Sequence, residues 1–134
     1  MGLTTYPASG GAVWGDIIGT VADQTDLTTA FGTQGIKRYL ALLTQTGTDT
    51  PVATVLENSL GGTLVWTRSG VGTYDATLAG VFLANKVFAP GFVIEAGGGA
   101  LFSFSRTSNN VMAMFSGAGD GVLASTPVEI LVYP

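Results

Sequence analysis

From Ile36 onward, apolar side chains recur at every second position, in short stretches rich in Thr, Val and aromatic residues. Clusters of Gly, Asn, Asp and Pro separate these stretches at about the spacing of one strand plus one turn. A period of two places successive side chains on opposite faces of a strand, whereas a helix requires a period near 3.6. This part of the chain therefore predicts an all-β fold of antiparallel strands.

The alternation predicts nine strands, at residues 37–46, 53–58, 64–68, 74–78, 81–88, 92–95, 101–107, 111–116 and 128–133. The Gly and Asn residues at 69–72 and 108–110 suit tight hairpin turns, because both residue types tolerate a positive φ. Many short strands without an internal repeat favour an antiparallel β-sandwich or jelly roll, with an up-and-down barrel as the alternative.

The same alternation predicts which side chains face inward. Trp66, Phe102 and Phe104 are expected in the core. Strand 111–116 is apolar on both faces, with Met112 and Met114 on one of them. We therefore expect this strand to lie centrally between packed layers, or to present one face to another subunit.

Residues 1–35 differ from the rest and are rich in Gly, Thr and Asp. Asp23 can cap a short helix, on which Leu27, Ala30 and Phe31 form a narrow apolar stripe that ends at Gly32. A helix of about two turns is not stable alone, so it must pack on something. The sequence thus predicts an extended attachment segment with one short helix at 1–35, followed by a β-sandwich module at 36–134.

Composition limits the partners of the chain. Only 10% of its residues are charged and 46% are hydrophobic, whereas a soluble monomer usually carries about a quarter charged residues. We expect some apolar surface to meet other subunits. The net charge of −4 has no basic run, which argues against nucleic acid as a partner.

The start of the chain lacks the pattern of a signal peptide, and no stretch is long and apolar enough for a membrane span. We therefore expect synthesis in the cytoplasm and no membrane insertion.

The chain contains no His and no Cys, which excludes catalytic triads, Cys–His dyads and the usual zinc sites. A carboxylate pair drawn from Glu57, Glu95 and Glu129 is conceivable, but solvated strand faces are favoured. Asp16, Asp23 and Asp26 could approach a calcium ion, yet their spacing matches no EF-type loop, so capping and turn roles are favoured. The three glycines at 97–99 lack a phosphate-binding pattern and predict a plain loop. We expect a protein that is not an enzyme and that needs no cofactor or metal.

Residues 14–27, with the sequence WGDIIGTVADQTDL, resemble a segment that recurs in bacteriophage tail-fibre, collar and head-fibre proteins. The resemblance covers about a tenth of the chain. In that family the segment joins a particle-attached part to a distal β-rich module, commonly within a homotrimer. It implies a virion structural protein, such as a short fibre, a spike or a capsid-surface decoration subunit, whose partners are its own copies and capsid, portal or tail components. The family's helix usually continues further, whereas Phe31 and the glycines after it end it early here.

Independently of the family, the turn at residues 15–17 and the short helix make sense as a clip. Trp14 and Ile17 can bury against a neighbour, while Asp16 binds its own backbone N–H groups. The candidate attachment and oligomer-interface residues are Trp14, Asp16, Ile17, Leu27 and Phe31.

Two other functions stay open from the sequence. One is a host-receptor or glycan-binding module, in which Tyr39, Trp66, Tyr74 or Tyr133 would stack on sugars; the alternation places most of these inward. The other is a fragment of a polysaccharide-degrading tailspike, against which the short length argues. Lys37 and Arg38 are expected to solubilise an edge or to pair with an acid such as Asp26, rather than to bind a sugar acid.

Overall fold

The computed structural model describes residues 35–94 and 100–134, which belong to one compact unit, Gly35–Pro134. The predicted helix at 23–32 and the predicted domain boundary at 35/36 lie wholly or partly outside the described residues and stay predictions. Within the described residues there are nine strands and no helix. The strands are β1 (Lys37–Thr44), β2 (Val52–Asn58), β3 (Val65–Gly70), β4 (Thr73–Thr77), β5 (Val87–Phe88), β6 (Phe92–Ile94), β7 (Ala100–Arg106), β8 (Val111–Ser116) and β9 (Thr126–Val132).

The strands form two antiparallel sheets. The four-stranded sheet has the order β2-β1-β9-β5, and the five-stranded sheet has the order β3-β4-β8-β7-β6. The first and last strands are neighbours, since Lys37 pairs with Val132 and Leu43 pairs with Thr126. This arrangement is sandwich-like and all-β, as the alternation predicts. It is not one closed sheet of sequential neighbours, so the up-and-down alternative is wrong for the described residues.

The hydrophobic core contains side chains from both sheets, which face each other through it. Tyr39, Tyr74, Phe82 and Phe102 are its largest fully buried side chains. Trp66 and Phe102 are buried as predicted, whereas Phe104 is half-buried and packs against the core. Phe92 stacks on Phe102 with ring centroids 5.0 Å apart. The predicted hairpins are present, since β3 pairs with β4 and β7 with β8.

The strand predicted at 81–88 is wrong for most of its length, because only Val87–Phe88 is a strand. Gly80 and Asn85 adopt φ of 70° and 62°, which breaks an extended backbone on both sides of Phe82. Phe82 is fully buried, and its backbone bonds the β7–β8 hairpin: its N–H donates to the carbonyl of Asn109, and its carbonyl accepts from Arg106 Nε at 2.6 Å. The segment is therefore a loop held by tertiary contacts, although its composition is that of a strand.

Strand β8 is the central strand of the five-stranded sheet. Met112 and Met114 face the core and are buried. On the opposite face Ala113 is buried among its neighbours, and Phe115 is exposed. The strand is thus central within its sheet, but in the described residues its outer face is not covered by a second layer, and the alternative of a face at a subunit interface stays a prediction.

Candidate interaction surface

The outer face of the five-stranded sheet carries very few charges. The outward side chains, in register across the strands, are Val65, Thr67, Thr73, Asp75, Thr77, Val93, Leu101, Ser103, Ser105, Val111, Ala113 and Phe115. Asp75 is the one charged side chain among these described strand residues. Val93 and Leu101 are paired in register, and both are more than half exposed. A protein surface normally carries about a quarter charged residues, so this face has the composition of a packed surface.

Strand β2 is the edge of the four-stranded sheet, and almost all of it is exposed. Val52 is 68% exposed, Val55 is 50% exposed and Leu56 is 57% exposed. Val52 is on the outer face of the strand, opposite Thr44, whereas Val55 pairs with the buried Ala41 and is on the inner face; Leu56 is the extra residue at a shift of register and has no partner on β1. Both faces of β2 are therefore apolar and uncovered.

The inner face of β2 is uncovered because the two sheets are offset. Trp66, on the edge strand β3, donates a hydrogen bond of 3.1 Å to the Tyr39 hydroxyl on β1. The edge of the five-stranded sheet thus lies opposite β1, and β2 projects beyond it. Of the side chains on β2, only Ala53 is half-buried against the core. We call Val52–Asn58 the overhanging strand.

The outer face of the four-stranded sheet carries an ion triad. Arg38 Nε lies 2.7 Å from Glu129 Oε1, and Arg38 Nη1 lies 3.1 Å from Glu57 Oε2. The three side chains come from adjacent strands β2, β1 and β9, so the triad crosses the sheet. The prediction that Arg38 pairs with an acid is confirmed, but its partners are Glu57 and Glu129. Exposed pairs of this kind contribute little stability each, and their main effect is to neutralise charge on this face.

A second polar cluster lies where the loop before β9 meets β3 and β4. Arg68 Nε and Nη2 bind the two carboxylate oxygens of Asp120 at 3.0 and 2.7 Å. Gly72 N–H also donates to Asp120, at 3.0 Å. A bidentate pair with a backbone donor has a defined geometry, so this cluster holds the loop against the β3–β4 hairpin.

Gln45 extends the cluster into the protein. The Tyr74 hydroxyl donates to Gln45 Oε1 at 2.8 Å, and Gly121 N–H donates to the same oxygen at 3.0 Å. Gln45 Nε2 donates to the carbonyl of Asp49 at 2.8 Å. Every polar atom of this buried amide is therefore bonded, and it joins both sheets to the loop at 117–125. Because the polar atoms of Gln45 all have hydrogen-bond partners, the cluster has the character of a stabilising network rather than of a reactive site.

The directions in which the pKa values of Asp120, Tyr74 and Tyr39 are shifted agree with a structural role. Hydrogen bonds from Arg68 and then from the Gly72 backbone hold the pKa of Asp120 below its ordinary value. Burial raises the pKa of Tyr74, and the nearby Asp120 charge raises it further. Burial also raises the pKa of Tyr39, against a smaller opposing effect of its hydrogen bond with Trp66. These shifts favour the ionised acid and the neutral tyrosines.

The structure describes only some of the candidate site residues that the sequence predicts. The attachment residues Trp14, Asp16, Ile17, Leu27 and Phe31, the acids Asp23 and Asp26, and Glu95 with the glycines at 97–99 lie outside the described residues. Glu57 and Glu129 share Arg38 instead of forming an isolated acid pair. Among the four aromatic candidates for sugar stacking, only Tyr133 is exposed; Tyr39, Trp66 and Tyr74 are buried.

In residues 35–94 and 100–134, no three Asp or Glu side chains are grouped so as to hold a metal ion. No helix long and apolar enough to cross a membrane occurs in this described part of the chain.

Comparison with known proteins gives no relative from which to transfer a function: no family model, no curated protein and no solved structure matches this chain.

The overhanging strand is the feature that sequence reasoning missed. The sequence predicts a strand at 53–58, one residue shorter than β2, but which strand becomes an uncovered edge depends on the offset of the sheets. One signal was present in the sequence: Val52, Val55 and Leu56 put large aliphatic side chains on both faces, unlike a half-solvated strand.

Proposed function

We propose that this chain is a non-enzymatic structural protein of a bacteriophage particle, namely a short fibre, a spike or a capsid-surface decoration subunit that assembles as a homotrimer. The observation that carries the proposal is the charge-poor outer surface of the β-module, above all the outer face of the five-stranded sheet. A sheet face that carries so few charges and exposes Val65, Val93, Leu101 and Phe115 is suited to contact with other subunits.

The resemblance of residues 14–27 to phage appendage proteins is the reason for proposing that the chain belongs to a phage particle. Trp14, Asp16, Ile17, Leu27 and Phe31 are the residues that we propose for attachment to the particle and for contacts between copies. Capsid, portal or tail components are the proposed partners, and the virion is the proposed location. This support comes from family analogy and is independent of the described sheets.

We further propose that the two sheets form a jelly-roll sandwich. The chain passes from one sheet to the other between β2 and β3, β4 and β5, β5 and β6, and β8 and β9. Such repeated crossings, together with pairing of the first and last strands, are typical of Greek-key sandwiches.

The alternative of a host-receptor or glycan-binding module has less support. Stacking on sugar rings requires exposed aromatic faces, and three of the four candidate Tyr and Trp side chains are buried. A purified protein that binds host envelopes as an isolated monomer would favour this alternative.

The test is the solution mass of the purified full chain, measured by light scattering on a sizing column over about a hundredfold range of concentration. The proposal expects a mass of three 13.6 kDa chains that persists on dilution. Immunodetection of the chain in purified phage particles, without clearing of a host polymer, tests the structural role. A stable monomer that is absent from particles would refute the proposal.

A further inference from the structure

The overhanging strand leaves more apolar surface uncovered than an ordinary sheet edge. An edge strand usually buries its inner face against the opposite sheet and protects its free edge with charges, prolines or bulges. Here the offset of the sheets leaves Val55 half exposed on the inner face, while Val52 is exposed on the outer face and Leu56 is exposed at the shift of register. A partner that covers this strand must therefore contact both faces.

Pairing of two such edges does not meet this requirement. Two copies related by a twofold axis could join their β2 backbones, but the faces above and below the new pair would stay bare. The edge is also irregular, since the register with β1 shifts between Leu40 and Ala41 and leaves Leu56 as an extra residue. A bulge bends a strand and interrupts its ladder, which disfavours the addition of another strand at this point.

Three copies arranged around a threefold axis can cover both faces of the strand. In a closed threefold ring each subunit contacts two neighbours through two different surfaces. A projecting strand that lies near the axis presents its outer face to one neighbour and its inner face to the other. The outer side chain Val52 of one copy can then pack on the inner side chain Val55 of the next copy.

The charges on and beside the strand are compatible with three copies that meet at one axis. Cyclic symmetry brings identical residues close together, so an unpaired charge near the axis would meet its own copies and repel them. Residues 50–56 carry no charge. Glu57, the one charged residue of β2, is bound by Arg38 of its own chain at 3.1 Å. The row beside β2 continues the apolar surface with the half-buried Leu42, which pairs with Thr54.

We infer that the overhanging strand, Val52–Asn58, lines the threefold axis of a homotrimer of this chain and packs through both of its faces against two further copies. The inference rests on the proposed trimer and names the surface at its axis. It concerns residues other than those predicted for attachment near the start of the chain.

The absence of cysteine from the chain makes a clean cross-linking test available. Single variants Val52→Cys and Val55→Cys are prepared in the full chain, with Val71→Cys as the matched control, since Val71 is an equally bulky residue that is 75% exposed in the β3–β4 turn. A short three-armed maleimide is added at a protein concentration that keeps the wild type trimeric. The two β2 variants should give covalent trimers on a denaturing gel, at least about tenfold more than the control.

A charge at the same positions provides the second measurement. Val55→Asp should shift the solution mass from three chains to one, while Val71→Asp should stay trimeric. Circular dichroism establishes that each variant is folded, and if Val55→Asp does not fold, the cysteine variants decide. A trimeric wild type whose β2 variants neither cross-link above the control nor dissociate would overturn this inference and leave the proposed function standing. A monomeric wild type would overturn both.

Discussion

Trp66 Nε1 donates a hydrogen bond to the Tyr39 hydroxyl across the core at 3.1 Å, and this contact joins the edge strand of one sheet to an inner strand of the other. It places the edge strand β3 opposite β1 rather than opposite β2. Both side chains are buried, so neither polar group can bond water instead. The overhang of β2, from which the interface is inferred, follows from this placement.

Replacing Tyr39 by Phe should destabilise the protein by roughly 1–3 kcal/mol, because the buried Trp66 N–H loses its acceptor. Urea unfolding followed by circular dichroism measures the change. Tyr133→Phe is the control, since Tyr133 is exposed and should change stability by less than about 0.5 kcal/mol. Equal effects of the two variants would show that the bond between the sheets contributes nothing.

Gly72→Ala should destabilise the β3–β4 hairpin for two reasons. The residue has a φ of 62°, and an added Cβ would lie 2.7 Å from the carbonyl oxygen of Ser116. Gly61→Ala is the control, because Gly61 also has a positive φ of 90° but no atom within 4 Å of the added Cβ. The control should lose about 1–2 kcal/mol from the backbone conformation alone, and Gly72→Ala should lose more. Thermal unfolding of both variants tests the order.

The ion pair of Asp120 should make stability depend on pH in the acid range. The folded pKa of Asp120 is lowered, so below about pH 4 the unfolded chain takes up the proton first. Its contribution is therefore present above that pH and is lost as the pH falls through the lowered folded pKa. Melting temperatures of the wild type and of Asp120→Asn should differ at neutral pH and converge as the pH approaches 2.

Asp75→Asn is the control for this acid series. Asp75 lies on the outer sheet face and forms no ion pair within the described residues. Its substitution removes one carboxylate and leaves the Arg68–Asp120 pair in place, so the difference from the wild type seen with Asp120→Asn should not appear. If Asp120→Asn follows the wild-type profile at every pH, then the Arg68–Asp120 pair does not fasten the loop.

A charge on the outer face of the five-stranded sheet should affect assembly more than folding. Leu101→Glu changes a side chain that is exposed beside Val93, so its effect on the melting temperature should be a few degrees at most. If other virion proteins or other copies cover this face, incorporation into particles should fall by at least about tenfold. Complementation of a phage that lacks the protein measures this, with Leu83→Glu, in a surface loop, as the control. If Leu101→Glu is incorporated as fully as the wild type, the outer face of the five-stranded sheet is exposed to solvent and is not an interface.

Much of the fold was predictable because strand alternation is a local property. Strand β8 has the predicted bounds, and the ends of most others differ by one or two residues. The inward placement of Trp66 and Phe102 follows from a period of two within each strand. The hairpins at 69–72 and 108–110 were both predictable from their turn residues, although only the first uses a positive φ, at Gly72 with 62°, and Asn109 and Asn110 do not.

The sequence alone determined the all-β class, the inward faces and the charge-poor composition, because each depends on residues close together along the chain or on their totals. The tertiary structure decided what depends on distant residues. It paired β1 with β9, turned residues 79–86 into a loop around the buried Phe82, and joined Arg68 to Asp120 across 52 positions. It also decided which apolar strand is left uncovered. A strand with aliphatic side chains on both faces is compatible with a sheet centre as well as with a sheet edge, and only the offset of the two sheets made β2 an exposed edge.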